Sequence, residues 1–326
     1  MEKIDFVILW VDGADPAWRE EFGHYRRQAG MDASESRYRD WRTLHYWFRA
    51  VEAYAPWVNK IHLVTWGHLP AWLNREHPKL HIVHHSDYIP AEWLPTFNTN
   101  TLELNLHRIE GLAEHFVLFN DDTFLTRPCR EEDFFREGLP CDMARLSIVR
   151  PSSIGQLILN NLKLINERHS HKVLYRHFSK WIAPCYGLSN ILKTLLLLPW
   201  SFIPGFYDPH QPQPYRKSDF ARGWEQWGEQ MAATCRTRFR DLGNLSEWLI
   251  RYDTLCRGEF IPQSKRDGRM VTLTDQSAAE IASLIASQAQ RLLCIHDEAC
   301  DDFEATCATL HRGFETLLPE KSSYER

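Results

Sequence analysis

A chain of 326 residues is longer than one typical domain and can bury a large core, so one elaborate domain or two intimate ones are expected. Its 44% hydrophobic content, with 13 Trp and 17 Phe, excludes disorder over most of the length. Thirty-eight Lys and Arg against 43 Asp and Glu give a net charge of −5, so a nucleic-acid partner has no electrostatic support and phosphate recognition must come from local arginines.

In chain order, residues 4–11 read as a central parallel strand, apolar on both faces and too close to Met1 to follow a signal sequence. Asp12-Gly13-Ala14-Asp15-Pro16 breaks it. Residues 41–54 place Leu44, Trp47, Phe48, Val51 and Tyr54 at helical spacing, and Pro56 closes that helix. Strands are predicted at 61–65 and 80–84, a helix at 101–112, and a strand at 115–119. From 151 to 260 the pattern turns helical and irregular, with the Pro-rich loop Asp208-Pro209-His210-Gln211-Pro212-Gln213-Pro214. An amphipathic helix at 275–290 leads to a last strand at 292–295. The alternation predicts a Rossmann-like or glycosyltransferase-A-like α/β fold: a mainly parallel sheet, helices on both faces and a helical insertion. We divide it as 1–145, 146–270 and 271–326, the last part returning to the α/β core to complete one catalytic unit.

The run His115-Phe116-Val117-Leu118-Phe119 ends in Asn120-Asp121-Asp122, and Leu292-Leu293-Cys294-Ile295 ends in His296-Asp297-Glu298. Ligands of open α/β sheets bind beyond the carboxyl ends of strands, where carboxylates hold Mg²⁺ or Mn²⁺ against phosphates. Asp121, Asp122 and Asp297 are therefore the candidate metal ligands. Neighbours in an extended strand point to opposite faces, so only one of Asp121 and Asp122 is expected beside Asp297 on the ion. The plain structural reading of each group is an acidic turn.

The longest apolar stretch, 191–206, is interrupted by Lys193, Pro199 and Pro204 and falls short of the roughly twenty residues that span a bilayer. A buried helix followed by a loop is favoured; a helix resting on the membrane surface is the alternative. The eight cysteines lack metal-finger spacing and are expected as reduced thiols of a cytoplasmic protein, with Cys300 and Cys307 on one helical face.

Four separated blocks resemble the Stealth family of sugar-phosphate transferases. The first is Ile4-Asp5-Phe6-Val7-Ile8-Leu9-Trp10-Val11-Asp12-Gly13. The second runs from Arg37-Tyr38-Arg39-Asp40 through Leu106-His107-Arg108-Ile109 to Phe119-Asn120-Asp121-Asp122. The third lies around Pro209-His210-Gln211-Pro212 and Arg238-Phe239-Arg240, and the fourth is Cys294-Ile295-His296-Asp297-Glu298 with the tail from Leu318. Thr43 and His296 depart from the Glu and Asn of many relatives and are left out of the expected site.

The resemblance implies a nucleotide-diphosphate sugar as donor and transfer of the sugar with its proximal phosphate to a hydroxyl of a glycan or lipid-linked oligosaccharide, releasing a nucleoside monophosphate. It implies capsular or cell-wall polysaccharide synthesis; the compact 326-residue form leads us to expect a cytoplasmic enzyme, with contact at the inner membrane face through the apolar stretch 191–206 and a homodimer left open. Trp10, Asp12 and Gly13 suit the nucleoside, and Asn120 suits the donor or a carboxylate. Arg37, Arg39, Arg108 and Arg238 are the diphosphate candidates, with Asp40 holding one of them; Arg238 is chosen over its alternating neighbours Arg236 and Arg240 on the third block. His210, in its Pro-braced loop, is the expected base and His107 its competitor, alongside Arg238 and Asp297 as catalytic residues. A metal-dependent glycosyltransferase releasing a nucleoside diphosphate, and a non-catalytic polysaccharide-binding module, are the competing readings.

Overall fold

Strand β1 (Ile4–Leu9) divides the core in two: Ile4, Phe6 and Ile8 enter one apolar cluster, and Val7 and Leu9 enter the other. Period-2 alternation with both faces apolar is the signature of a strand covered on both sides. The computed structural model describes residues 2–29, 40–265, 267–298 and 300–326, so Arg37 and Arg39 lie outside the described residues.

Helices α1 (Pro16–Ala29) and α2 (Leu44–Tyr54) precede β2 (Ile61–Thr65) and β3 (Leu80–His84). Short helices α3 (His85–Tyr88) and α4 (Thr99–Leu104) precede β4 (His115–Phe119) and β5 (Thr123–Leu125). The hairpin β6 (Phe135–Arg136) and β7 (Leu139–Asp142) leads into α5 (Ser153–Arg168), α6 (Lys172–Arg176), α7 (Phe178–Trp181) and α8 (Leu188–Leu197). Then come β8 (Gln213–Arg216), α9 (Lys217–Cys235), α10 (Trp248–Arg257) and β9 (Ile261–Pro262). The chain closes with β10 (Gly268–Leu273), α11 (Ala278–Ala286), β11 (Leu292–Asp297) and α12 (Phe303–Leu317).

The main sheet has the order β3-β2-β1-β4-β8, parallel except that β8 runs antiparallel to β4. On one face α2 contributes Leu44, Trp47, Phe48 and Val51 to the cluster that also takes Phe119 from β4 and Phe314 from α12. On the other face Phe116 and Leu118 pack with residues of α4, α5, α9 and α10. Phe6 has no exposed surface, and its truncation to Ala would cost about 3–5 kcal/mol.

At the amino ends of the strands, buried Asp5 accepts from the Asn59 side chain at 2.7 Å and the Ala113 amide at 2.8 Å, and pairs with His62 at 3.0 Å. Burial alone would raise its carboxyl, yet the hydrogen bonds from His62, Asn59 and Ala113 hold it below the ordinary value. This polar tie fixes the amino ends and leaves the carboxyl ends open.

Three expectations are corrected. The last strand does not join the main sheet: β11 lies between β10 and β5 in a second sheet, because β5 leaves the Asp121-Asp122 turn and pairs antiparallel with it. Helix α8 is not buried but exposes Leu188, Leu192, Leu195 and Leu196. Cys300 precedes α12, so it shares no helical face with Cys307.

Candidate active site

Residues Asn120 to Thr123 form a turn closed by the Thr123 amide donating to the Asn120 carbonyl at 3.1 Å. Because the chain has already turned, the alternation that would separate Asp121 from Asp122 no longer applies, and both carboxylates line one cleft. The Thr123 hydroxyl donates to Asp122 Oδ1 at 3.0 Å, and Cys294 Sγ lies 3.5 Å from Oδ2. On the far side, the Ile295 amide donates to the Asp122 carbonyl at 2.8 Å, which brings Asp297, two residues on, to the same cleft. The cleft has a volume of about 840 Å³, and Trp10, Asp40, Glu103 and Arg240 also line its walls.

The cleft is electronegative at its centre. Asp121 is open to the cleft but walled by protein; burial first, then the nearby charges of Asp122 and Asp40, push its carboxyl up to about 7. Asp40 is also raised, by burial and by Asp12, against a hydrogen bond from the Arg42 amide at 2.8 Å. Among the described residues no three His, Cys, Asp or Glu side chains converge closely enough to hold a metal as they stand. The donor type nevertheless fits Mg²⁺ or Mn²⁺, since two hard carboxylates crowded at a strand end match an ion completed by phosphate oxygens and water.

A second charged group stands in the wall. Glu103, 7% exposed on α4, faces half-buried Glu247: burial raises the Glu103 carboxyl against the hydrogen bond with Glu247, while burial and the charge of Glu103 raise the Glu247 carboxyl. The charge of Arg240 eases Glu103 in the other direction. Asn98 positions α4: its side chain accepts from the Asn100 amide at 3.1 Å, capping the helix, and donates to Asn244 at 2.8 Å.

Arg238 and Arg240 exchange the places expected from sequence. The Arg238 guanidinium donates to the Pro95 carbonyl at 2.8 Å and lies over the Tyr25 ring at 4.1 Å, while its own carbonyl accepts from the Phe97 amide at 2.8 Å. It stitches two loops together and is not among the cleft residues. Arg240, two residues on, is exposed and lines the cleft.

Trp10 lines the cleft while 7% exposed, edge-on to His68 at 5.2 Å, so its core and site readings hold together. Asp12 and Gly13 form the adjoining turn: the Asp12 amide donates to His68 Nε2 at 2.7 Å, and the Gly13 carbonyl accepts from Arg19 at 3.0 Å. Asn120 lines the cleft. His107 and Arg108 do not. The charge of Lys217 bears on His107, and Lys217 follows Arg216, which pairs with His115 at the start of β4, the end remote from Asp121. Burial and the charge of Arg108 bring the His107 imidazole down to about 4. Arg108 bonds Asn105 at 2.9 Å and lies over Trp224.

His210 is exposed, edge-on to Trp248 at 5.7 Å and outside the cleft lining; its φ of 46° is left-handed. Sequence reasoning passed over Glu103, Arg240, Thr43 and His296, all in the lining. The signal for Glu103 was available: a lone carboxylate between Leu102 and Leu104 in a segment rich in apolar and amide side chains.

Residues 2–28 match Stealth protein CR1, conserved region 1, and residues 37–141 match Stealth protein CR2, conserved region 2. A capsular polysaccharide phosphotransferase WcwK of Streptococcus pneumoniae is 41% identical over 333 residues, 100% of this chain and 99% of its own length. The receptor polysaccharide phosphotransferase WefC of Streptococcus gordonii is 37% identical over 100% of this chain and 99% of its own. The exopolysaccharide phosphotransferase cps2G of Lactiplantibacillus plantarum is 36% identical over 99% of this chain and 96% of its own. With its two matched regions and full-length similarity to polysaccharide phosphotransferases, the chain belongs to the Stealth family.

Proposed function

We propose that this protein transfers a sugar-1-phosphate from a nucleotide-diphosphate sugar to a hydroxyl of a glycan acceptor, releasing nucleoside monophosphate, in capsular or cell-wall polysaccharide synthesis. The observation that carries the reading is the cleft that Asp121, Asp122 and Asp297 line together with Arg240 and Trp10. The acceptor oxygen forms a bond to the phosphorus next to the sugar, the bond from that phosphorus to the nucleoside phosphate breaks, and the product is a phosphodiester. Such a transfer asks the protein mainly for position and charge stabilisation.

In this reading Asp121, Asp122 and Asp297 hold Mg²⁺ or Mn²⁺, which when bound neutralises charge on the diphosphate. Arg240 offers its guanidinium fork to phosphate oxygens, and Trp10 and the Asp12-Gly13 turn take the nucleoside. The acceptor proton goes to His210. Its left-handed backbone in a Pro-braced loop is an outlier of the kind that collects at functional sites. Glu103, already in the wall, is the other group able to receive that proton.

We place the reaction in the cytoplasm. Six cysteines, Cys129, Cys141, Cys235, Cys256, Cys294 and Cys307, are buried thiols, which suits a reducing compartment. Among the described residues no helix is long and apolar enough to cross a membrane. Phosphorus-31 NMR of the glycan product tests the proposal: a phosphodiester resonance is expected, and a glycan extended without phosphorus would overturn it.

A further inference from the structure

The apolar segment around α8 has no part in the cleft, and its exposure is unusual. Leu188, Leu192, Leu195 and Leu196 are 72%, 50%, 39% and 75% exposed, and their spacing puts them on one stripe of the helix. Beyond the helix end Trp200 and Phe202 continue the patch at 44% and 49%, their rings edge-to-face at 5.5 Å. The rest of α8 is used for packing. Thr194 is buried and accepts from the Leu146 amide at 3.3 Å, Leu198 is buried, and Ile191 and Leu197 pack on the core. The helix is therefore anchored by one side while its leucine stripe meets solvent, which soluble monomers seldom permit without a function.

The charge around the stripe identifies the occupant. From Arg168 to Tyr207 the sequence holds five Lys and Arg, three His and no Asp or Glu, in a chain whose net charge is −5. Lys172, Arg176 and Lys193 are exposed, whereas Lys180 is already committed to the carbonyls of Gly258 and Phe260. Helix α6, which carries Lys172 and Arg176, is joined to the end of α8 by the Tyr175 hydroxyl donating to the Leu198 carbonyl at 3.2 Å. Leucines with Trp and Phe at the edge, in a segment that carries exposed cations and no carboxylate of its own, match the boundary layer of an anionic bilayer.

We propose that α8, the 198–203 loop and α6 form a docking surface for membranes containing anionic lipid. The surface is connected to the cleft through α5. Asn166 of α5 donates to the Ile203 carbonyl at 3.0 Å and accepts from its amide at 2.8 Å, while Ser153 and Ile154 at the other end of α5 line the cleft. Twelve residues of helix, about 18 Å, thus set the separation between cleft rim and membrane-facing loop.

The test is flotation of the full chain with phosphatidylcholine vesicles and with vesicles that also contain phosphatidylglycerol, alongside light scattering of the free protein. The wild type is expected to float with the anionic vesicles. Leu192→Ser with Leu196→Ser, and separately Lys172→Glu with Arg176→Glu, are each expected to weaken binding about tenfold or more without lowering Tm, because all four side chains are exposed. Absence of wild-type flotation, or variants that float as well as the wild type, would overturn the proposal. So would a wild-type dimer that the leucine variant converts to monomers, since a second copy would then own the surface.

Discussion

The backbone amide of Ile295 donates to the carbonyl of Asp122 at 2.8 Å. This bond continues the pairing of β11 with β5, and it joins two strand ends separated by more than half the chain. Asp297 reaches the Asp121-Asp122 turn through this second sheet, so the site depends on the register of β11 as much as on the carboxylates themselves. A one-residue slip would turn Asp297 away from the cleft.

The crowding of Asp121 with Asp122 and Asp40 makes the first prediction two-sided. Asp121→Asn is expected to lower turnover about 10³-fold, and Asp297→Asn to do the same. Without added metal, Asp121→Asn is also expected to raise Tm by about 2 °C, since removing one charge relieves repulsion on the order of 1 kcal/mol after solvent screening. Paired turnover and melting measurements check both parts; a variant with near-normal turnover would misplace the site.

Arg240 and Arg238 should separate activity from stability. Arg240→Ala is expected to reduce kcat/KM by about 10- to 100-fold with Tm unchanged. Arg238→Ala is expected to cost about 1–2 kcal/mol of stability through the lost bond to Pro95 and the lost contact with Tyr25. Denaturant unfolding and initial rates on the two variants distinguish the roles. Equal loss of activity with equal stability would erase the distinction.

The proton acceptor is tested by a pair of variants. His210→Ala is expected to lower kcat about 10²-fold or more while donor binding is unchanged, the pattern of a group needed only in the transition state. If His210→Ala turns over normally and Glu103→Gln does not, the role belongs to Glu103.

Much of the fold was legible because strong patterns have single solutions. Strands β2 and β3 fall on the residues named from sequence, where five-residue segments each holding three of Ile, Leu and Val are bounded by turn residues. The helix expected over 101–112 instead spans Thr99–Leu104, followed by a 3-10 turn at Leu106–Arg108. Asn105 has left helical geometry and sends its side chain to the Thr101 carbonyl at 2.8 Å, a local competition that periodicity does not register. Strand β8 was hidden by Pro214, which a central strand would exclude but an edge strand tolerates. The leucines of α8 announced an apolar helix without saying which side is covered. In the site, the strand-end carboxylates were readable because strand ends have a fixed place in an α/β sheet. Arg240 was not, because alternation predicts facing only where backbone is extended, and residues 236–240 form no strand.

Stability in acid should follow a buried ion pair outside the cleft lining. Arg251 donates to Asp142 at 2.7 and 3.1 Å. Burial would raise the Asp142 carboxyl, but the charges of Arg251 and Lys265 hold it below its ordinary value of 3.8. A carboxyl depressed by folding contributes its stability above the ordinary value and loses it as pH falls through the lowered one. The urea midpoint is therefore expected to fall steeply below pH 3.8. Arg251→Leu, which strands a buried carboxylate, is expected to cost about 3–5 kcal/mol at neutral pH. A midpoint insensitive to acid would contradict the assignment.

The most direct test of the central claim is to identify the nucleotide released when the purified protein is incubated with Mg²⁺, a panel of nucleotide-diphosphate sugars and short glycan acceptors. Release of a nucleoside monophosphate is the predicted result and names the donor at the same time. Release of a nucleoside diphosphate would mean attack at the anomeric carbon and would contradict sugar-phosphate transfer.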